Sequence, residues 1–111
     1  MAMLYHPGMS AQRLAKIEKD IETIKARIAE LGILRPGSLT RQYKDPKRRK
    51  GASYQVSYTH RMRSKTAYVR ADAVAEVRRQ IRDYKKLKRL VERWVALGIE
   101  YSGLCMKSGS R

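Results

Sequence analysis

The chain has 111 residues and carries 26 Lys and Arg against 10 Asp and Glu, a formal net charge of +16. That length supports one domain around a modest core. Solubility needs only a few net charges, so the excess points to an anionic partner: nucleic acid ahead of an acidic membrane surface or an acidic protein. No run approaches the ~18 apolar residues of a membrane span. Residues 1–9 lack the regions of a secretory signal, and the single Cys105 excludes an internal disulfide. A cytoplasmic protein is expected, nucleoid-associated if its partner is DNA.

Residues 10–32 are predicted as a helix. Leu14, Ile17, Ile21, Ile24, Ile28 and Leu31 alternate at spacings of three and four, the a/d seam of a heptad, with mixed charges on the other faces. Ser10 is the candidate cap, Gly32 the candidate C-terminal glycine, and Pro36 forbids continuation. A seam of this kind is marginal alone. It calls for pairing with the last helix of the same chain, with a second copy in a homodimer, or with another protein.

Residues 38–70 read as a basic β-sheet region. Eleven basic residues fall between 35 and 70, against Asp45 alone. Tyr54, Val56 and Tyr58 alternate with Ser53, Gln55, Ser57 and Thr59, which is period two. Lys65–Arg70 is a second strand, with His60–Ser64 as the hairpin tip. A weaker strand runs over Ser38–Lys44, and the turn-rich Asp45–Gly51 follows it. A hairpin alone is marginal in water, so the apolar face Tyr54, Val56, Tyr58, Ala67 and Val69 needs a cover. Val74, Val77 and Ile81 offer one.

A second helix is predicted over residues 72–97, capped by Asp72 and ended by Gly98, with residues 98–111 as a flexible tail. Its apolar stripe is Val74, Val77, Ile81, Tyr84, Leu87, Leu90, Trp94 and Leu97. The spacing drops to successive threes between Ile81 and Leu90, where a regular supercoil should be interrupted. The expected fold is therefore α+β in a single domain: a long N-terminal helix, a two- or three-stranded antiparallel sheet and a long C-terminal helix. The helices are expected to pair as a coiled-coil-like hairpin.

The cations divide into three groups. Lys44, Lys47, Arg48, Arg49 and Lys50 surround the turn, and Arg61, Arg63 and Lys65 surround the hairpin tip. Both groups are candidate phosphate contacts, because mobile cations displace condensed counterions. Arg78, Arg82, Lys85 and Arg89 on the last helix form a second tier. A two-stranded ribbon fits the major groove, and Arg41 and Arg63 are candidates for base edges there. Gln55, Ser57, Thr59, Thr66, Tyr68 and Arg70 should face away from the core and can hydrogen-bond. Each group also has a plainer reading: a solvated loop, charge that protects a strand edge, and helix pairs such as Asp83 with Arg79. Trp94, Tyr43, Tyr54 and Tyr58 are read as core rather than as a stacking platform.

Duplex DNA is the expected ligand, ahead of RNA. One alternative is a structural subunit of an RNA–protein complex. Another is a coiled-coil docking protein that regulates or inhibits a nucleic-acid enzyme through the Leu14–Leu31 seam. Little supports catalysis. His6 and His60 are far apart, Asp45 has no acidic neighbour in its segment, Cys105 lacks an evident base, and no phosphate-binding glycine loop occurs. One cysteine and two histidines do not make a structural zinc site. No catalytic residue, cofactor or metal is assigned.

Arg35-Pro36-Gly37-Ser38-Leu39, Tyr54–Tyr58, Lys65-Thr66-Ala67-Tyr68-Val69, Val77-Arg78-Arg79 and Tyr84-Lys85-Lys86-Leu87 resemble a family of short prokaryotic proteins of uncharacterised function. Its members have an R-P-G-S-L entry, a strand pair ending near Y-V and a basic final helix. Many look like passengers of mobile elements, which implies nucleic-acid handling. The resemblance covers residues 33–97. The family's usual cysteine cluster, which looks like a metal knuckle, has no counterpart in Lys44–Gly51, so no metal is carried over. The strand–strand–strand–helix order also resembles the arm-binding domains of phage integrases, which lay a three-stranded sheet into the major groove. This is a likeness of fold. The first helix lies outside it and implies an added pairing or docking surface.

Overall fold

The computed structural model describes residues 7–107. Residues 1–6, with His6, and residues 108–111 of the expected tail lie outside the described residues. The chain forms α1 (Pro7–Ala29), β1 (Ser38–Asp45), β2 (Lys50–His60), β3 (Arg63–Val69), a 3-10 turn (Ala71–Ala73) and α2 (Val74–Lys107). This is the expected α+β order with three strands. The apolar side chains gather in two clusters rather than one core, in two compact units: residues up to Glu30 with those from Leu87 onward, and Leu31–Lys86. At ~1.5 Å per residue, the 34-residue α2 is too long for one small core to cover.

The first unit is an antiparallel helix pair. Ile17, Ile24 and Leu97 are buried at its centre, with Ile21, Ile28, Leu90, Trp94, Tyr101 and Leu104 packed around them. The heptad seam is thus used within the chain. Leu14 is half-buried, and Leu31 falls beyond the end of α1 and outside this cluster. Two ring and ion contacts set the direction of pairing. Arg13 meets Glu100, and the Lys25 ammonium lies 5.6 Å from the centre of the Trp94 ring.

Several expected ends of α1 and α2 move. α1 begins at Pro7, because proline suits a first helical position, where an N–H has no partner anyway. Ser10 therefore lies inside the helix and does not cap it. α1 ends at Ala29, with the Glu30 N–H donating to the Arg27 carbonyl at 3.2 Å. Gly98 does not end α2, and residues 98–107 are helix rather than flexible tail. Tyr101 and Leu104 lie in that extension and pack on the helix-pair cluster. Their burial offsets the ~1 kcal/mol that each of the two glycines of the extension, Gly98 and Gly103, costs the helix.

The second unit is a meander of order β1-β2-β3 with a helical cover. Leu39 pairs with Val56, which pairs with Ala67, and Tyr54 pairs with Val69. These residues share one face. Val56, Val69 and Ile81 are buried, with Leu39, Tyr54, Ala67, Ala73, Val74 and Val77 against them. The cover expected from the start of the last helix is present. Ile81 belongs to this cluster and Leu90 to the helix pair's, so the break in spacing marks where α2 passes from one cluster to the other.

Local chemistry shapes this unit too. Asp72 is not a helix cap. It lies in the 3-10 turn and pairs with Arg70 at 3.2 Å, and no side chain caps that turn. Gly32 is not a left-handed terminator. Its N–H donates to Asp83 Oδ2 at 3.0 Å, and a Cβ there would fall 2.9 Å from Arg79 Nη1. Gly37 is a true glycine position, with φ at 135° and room for no Cβ against Val56 and the Ser57 carbonyl, both at 2.9 Å.

Candidate nucleic-acid interface

The face of the sheet opposite the core is almost uncharged. The registers Ser38–Ser57–Thr66 and Thr40–Gln55–Tyr68 place hydroxyls, an amide and a phenol in adjacent rows. Ser57 bonds to Thr66 at 3.2 Å and Thr59 to Ser64 at 2.9 Å. Tyr68, on the edge strand β3, is 69% exposed on this face. Each hydroxyl keeps a donor or acceptor for a further partner. Lys44 is the one cation of the strands on this side.

Cations crowd both ends of the sheet. At one end, Pro46–Arg49 turn between β1 and β2, with the Asp45 carboxylate accepting from the Arg48 N–H at 3.4 Å. Gly51 has φ 69°, and a Cβ there would also meet Lys44 Cβ at 2.8 Å. Lys44, Lys47, Arg48, Arg49 and Lys50 are all exposed, and only Arg48 has a carboxylate nearby, at 3.9 Å. At the other end the tip is tighter than expected. β2 runs to His60 and β3 starts at Arg63, leaving Arg61 and Met62 as the whole turn. Register dictates this, since His60 pairs directly with Arg63. Tyr58, His60, Arg61, Arg63 and Lys65 line a hollow of about 400 Å³ beside the tip.

The register also sorts the arginines. Arg41 pairs with Tyr54 and so belongs to the core-side face, not to the hydrogen-bonding face. Its guanidinium lies 5.1 Å from the Tyr43 ring centre and 5.8 Å from that of Tyr54, where it shields the rings from water. A base-edge role through the outer face does not suit that position. Arg63 and Lys65 are on the same side as Arg41, but near the tip. Arg35 is only partly exposed. It stacks 4.5 Å from the Tyr58 ring centre, its Nε is buried without a hydrogen-bond partner, and its N–H donates to the Gln80 carbonyl at 3.3 Å. Of the aromatic residues expected in the core, Tyr54 and Trp94 pack against the apolar clusters, while Tyr43 and Tyr58 are half-buried outside them.

On α2 one arginine is neutralised and its neighbours are not. Arg79 bonds Glu76 and, at 3.2 Å, Asp83. The Arg79 hydrogen bond holds the Glu76 carboxyl below its ordinary range, helped by Gln80. Arg78, Arg82 and Lys85 are exposed and make no ion pair among the described residues. With Gly37, Ser38, Leu39 and Ile81 they line a cleft of about 260 Å³. Three unpaired cations around one cleft make it a place for an anion. Arg89 lies in the helix-pair unit and is no part of this cleft.

No family model, curated protein or solved structure matches the chain. The site therefore stands on its own geometry. Among the described residues, no cluster of three or more His, Cys, Asp or Glu could hold a metal, and no helix is long and apolar enough to cross a membrane. Two features of the site were missed in the sequence. The part of Gly37 and Ser38 in the cleft had no local signal, because the R-P-G-S-L entry is brought to α2 by sheet packing. Met62 at the point of the hairpin could have been found by fitting the shortest turn to the register.

Proposed function

We propose that the protein binds nucleic acid without catalysing a reaction, and that its ligand is duplex DNA. One observation carries this reading: a nearly neutral, hydrogen-bonding sheet face bounded at both ends by turns rich in exposed cations. β2 spans 11 residues, or roughly 30 Å between the turns. That is long enough to cross a major groove about 12 Å wide and reach the backbone on each side. The deep, narrow major groove of A-form RNA would not admit the sheet. In this reading Lys44, Lys47, Arg48, Arg49, Lys50, Arg61, Arg63 and Lys65 neutralise phosphates, and Thr40, Gln55, Thr66 and Tyr68 meet the groove floor. Arg78, Arg82 and Lys85 supply a further phosphate cleft. The setting is the cytoplasm, and the family resemblance suggests an accessory factor of a mobile element or phage.

The test is fluorescence anisotropy with labelled duplex DNA, single-stranded DNA and a structured RNA across a salt series. With about six phosphates engaged, affinity for the duplex should fall with a log–log slope near −5. Affinity that barely changes with salt, or a strong preference for the folded RNA, would overturn the DNA reading.

A further inference from the structure

The β2–β3 ribbon outruns the rest of the sheet. Ser38 of β1 pairs with Ser57, and beyond it the pairs Tyr58–Lys65, Thr59–Ser64 and His60–Arg63 continue without a third strand. This gives a two-stranded arm of roughly 10 Å. Arg61 and Met62 close it, with φ of 53° and 63°. Two positive φ values in a two-residue turn define the type I′ hairpin, whose natural occupants are Asn-Gly, Asp-Gly and Gly-Gly. Arg-Met strains both positions.

What the strain places is unusual. Met62 is 97% exposed, the most exposed of the large apolar side chains described. It stands at the point of the arm, with Arg61 beside it and Arg63 and Lys65 just behind. A turn selected for folding alone would hold a glycine here, and one selected for solubility would hold a polar residue. Methionine is unbranched, flexible and apolar, and is one of the few side chains used as wedges between base pairs.

We propose that Met62 is such a wedge. Beyond the groove occupied by the sheet, the arm reaches an adjacent minor groove. Arg61, Arg63 and Lys65 hold the backbones there, and the Met62 side chain enters between two base pairs and kinks the duplex. The preferred sites contain pyrimidine–purine steps, which unstack at least cost. This rests on the duplex-binding reading above, and adds bending and a step preference to it.

The test uses the full chain and a duplex labelled at both ends for energy transfer, with 2-aminopurine beside a central TA step. Met62→Gly suits the positive φ, so it removes the wedge while easing the turn. Wild-type protein should draw the ends together, by a kink of about 20–90°, and brighten the 2-aminopurine. Met62→Gly should bind with the same salt slope and at most a few-fold weaker affinity, leave the duplex straight and melt at a higher temperature. Met62→Leu should restore the bend. If wild-type protein binds a duplex that stays straight, or if Met62→Gly bends it as well, the wedge is overturned and DNA binding stands. If no duplex is bound at any salt, both fall.

Discussion

Arg13 grips the Glu100 carboxylate side-on with two nitrogens of its guanidinium, Nε to Oε2 at 2.5 Å and Nη2 to Oε1 at 2.6 Å, across 87 positions of sequence. The side chains are 41% and 42% exposed, so solvent screens the pair. Its role is to set the register of the helix pair more than to stabilise it. The hydrogen bond from Arg13 holds the Glu100 carboxyl below its ordinary range. Lys16 does the same for Asp20, and Arg79 for Glu76.

Acid should therefore weaken the fold. Carboxylates with depressed values bind protons less readily folded than unfolded. Their stabilisation is complete above the ordinary carboxylate range and is lost as pH falls through the lower folded values, beginning below about pH 4 to 5. Urea denaturation midpoints followed with pH should stay level near neutrality and decline in acid. Glu100→Gln should make that decline shallower. An equal decline in the variant would show that the pair carries no linkage.

The helix pair depends on a few buried side chains. Ile17 is fully buried and Leu97 is 2% exposed. Either residue replaced by Ala should lose about 2–5 kcal/mol in urea denaturation. Placing Asp at both Ile21 and Ile24 should unfold the pair altogether. Val95→Ala, on an exposed position of α2, should change stability by no more than about 0.5 kcal/mol.

Two glycines should respond in opposite directions. Gly37 has φ 135° and backbone 2.9 Å from the place of a Cβ, so Gly37→Ala should cost more than about 1 kcal/mol. Gly98 is inside α2 with nothing within 4 Å of that place. Gly98→Ala should gain about 0.5–1 kcal/mol. Thermal melts of the two variants read both signs.

The cleft cations and their paired neighbour should separate in a salt titration. Replacing Arg78, Arg82 and Lys85 by Gln should make the duplex-binding slope shallower by about 2 to 3, since each phosphate contact contributes near 0.9. Arg79→Gln should leave the slope unchanged, because Glu76 and Asp83 already occupy its guanidinium. A loss from Arg79→Gln equal to that of its neighbours would mean that the cleft is not where DNA is held.

Much of this architecture was legible beforehand. The seam Ile17, Ile21, Ile24, Ile28 repeats with a helix's period, and Tyr54, Val56, Tyr58 with a strand's. Periodicity is a local property that burial of one face imposes on the sequence. The break between Ile81 and Leu90 was visible too, although its meaning, a change of cluster, was not. The cationic groups could be counted and the i,i+4 pair of Arg79 with Asp83 read from its spacing, but Arg35 and Arg41 could not be told from Arg63 and Arg82. Their partners, the rings of Tyr58 and Tyr54, are set by register and packing.

The sequence by itself determined the order of elements, the α+β class and the concentration of positive charge, because each follows from side-chain period and composition. Only the tertiary structure decided that the seam of α1 is used within the chain, that α2 runs through Gly98 to Lys107, and that the hairpin closes on Arg61 and Met62. In each case packing or strand pairing outweighed local preference. Burial of Tyr101 and Leu104 carried a helix past its glycine, and pairing of His60 with Arg63 forced two side chains into a turn built for glycine.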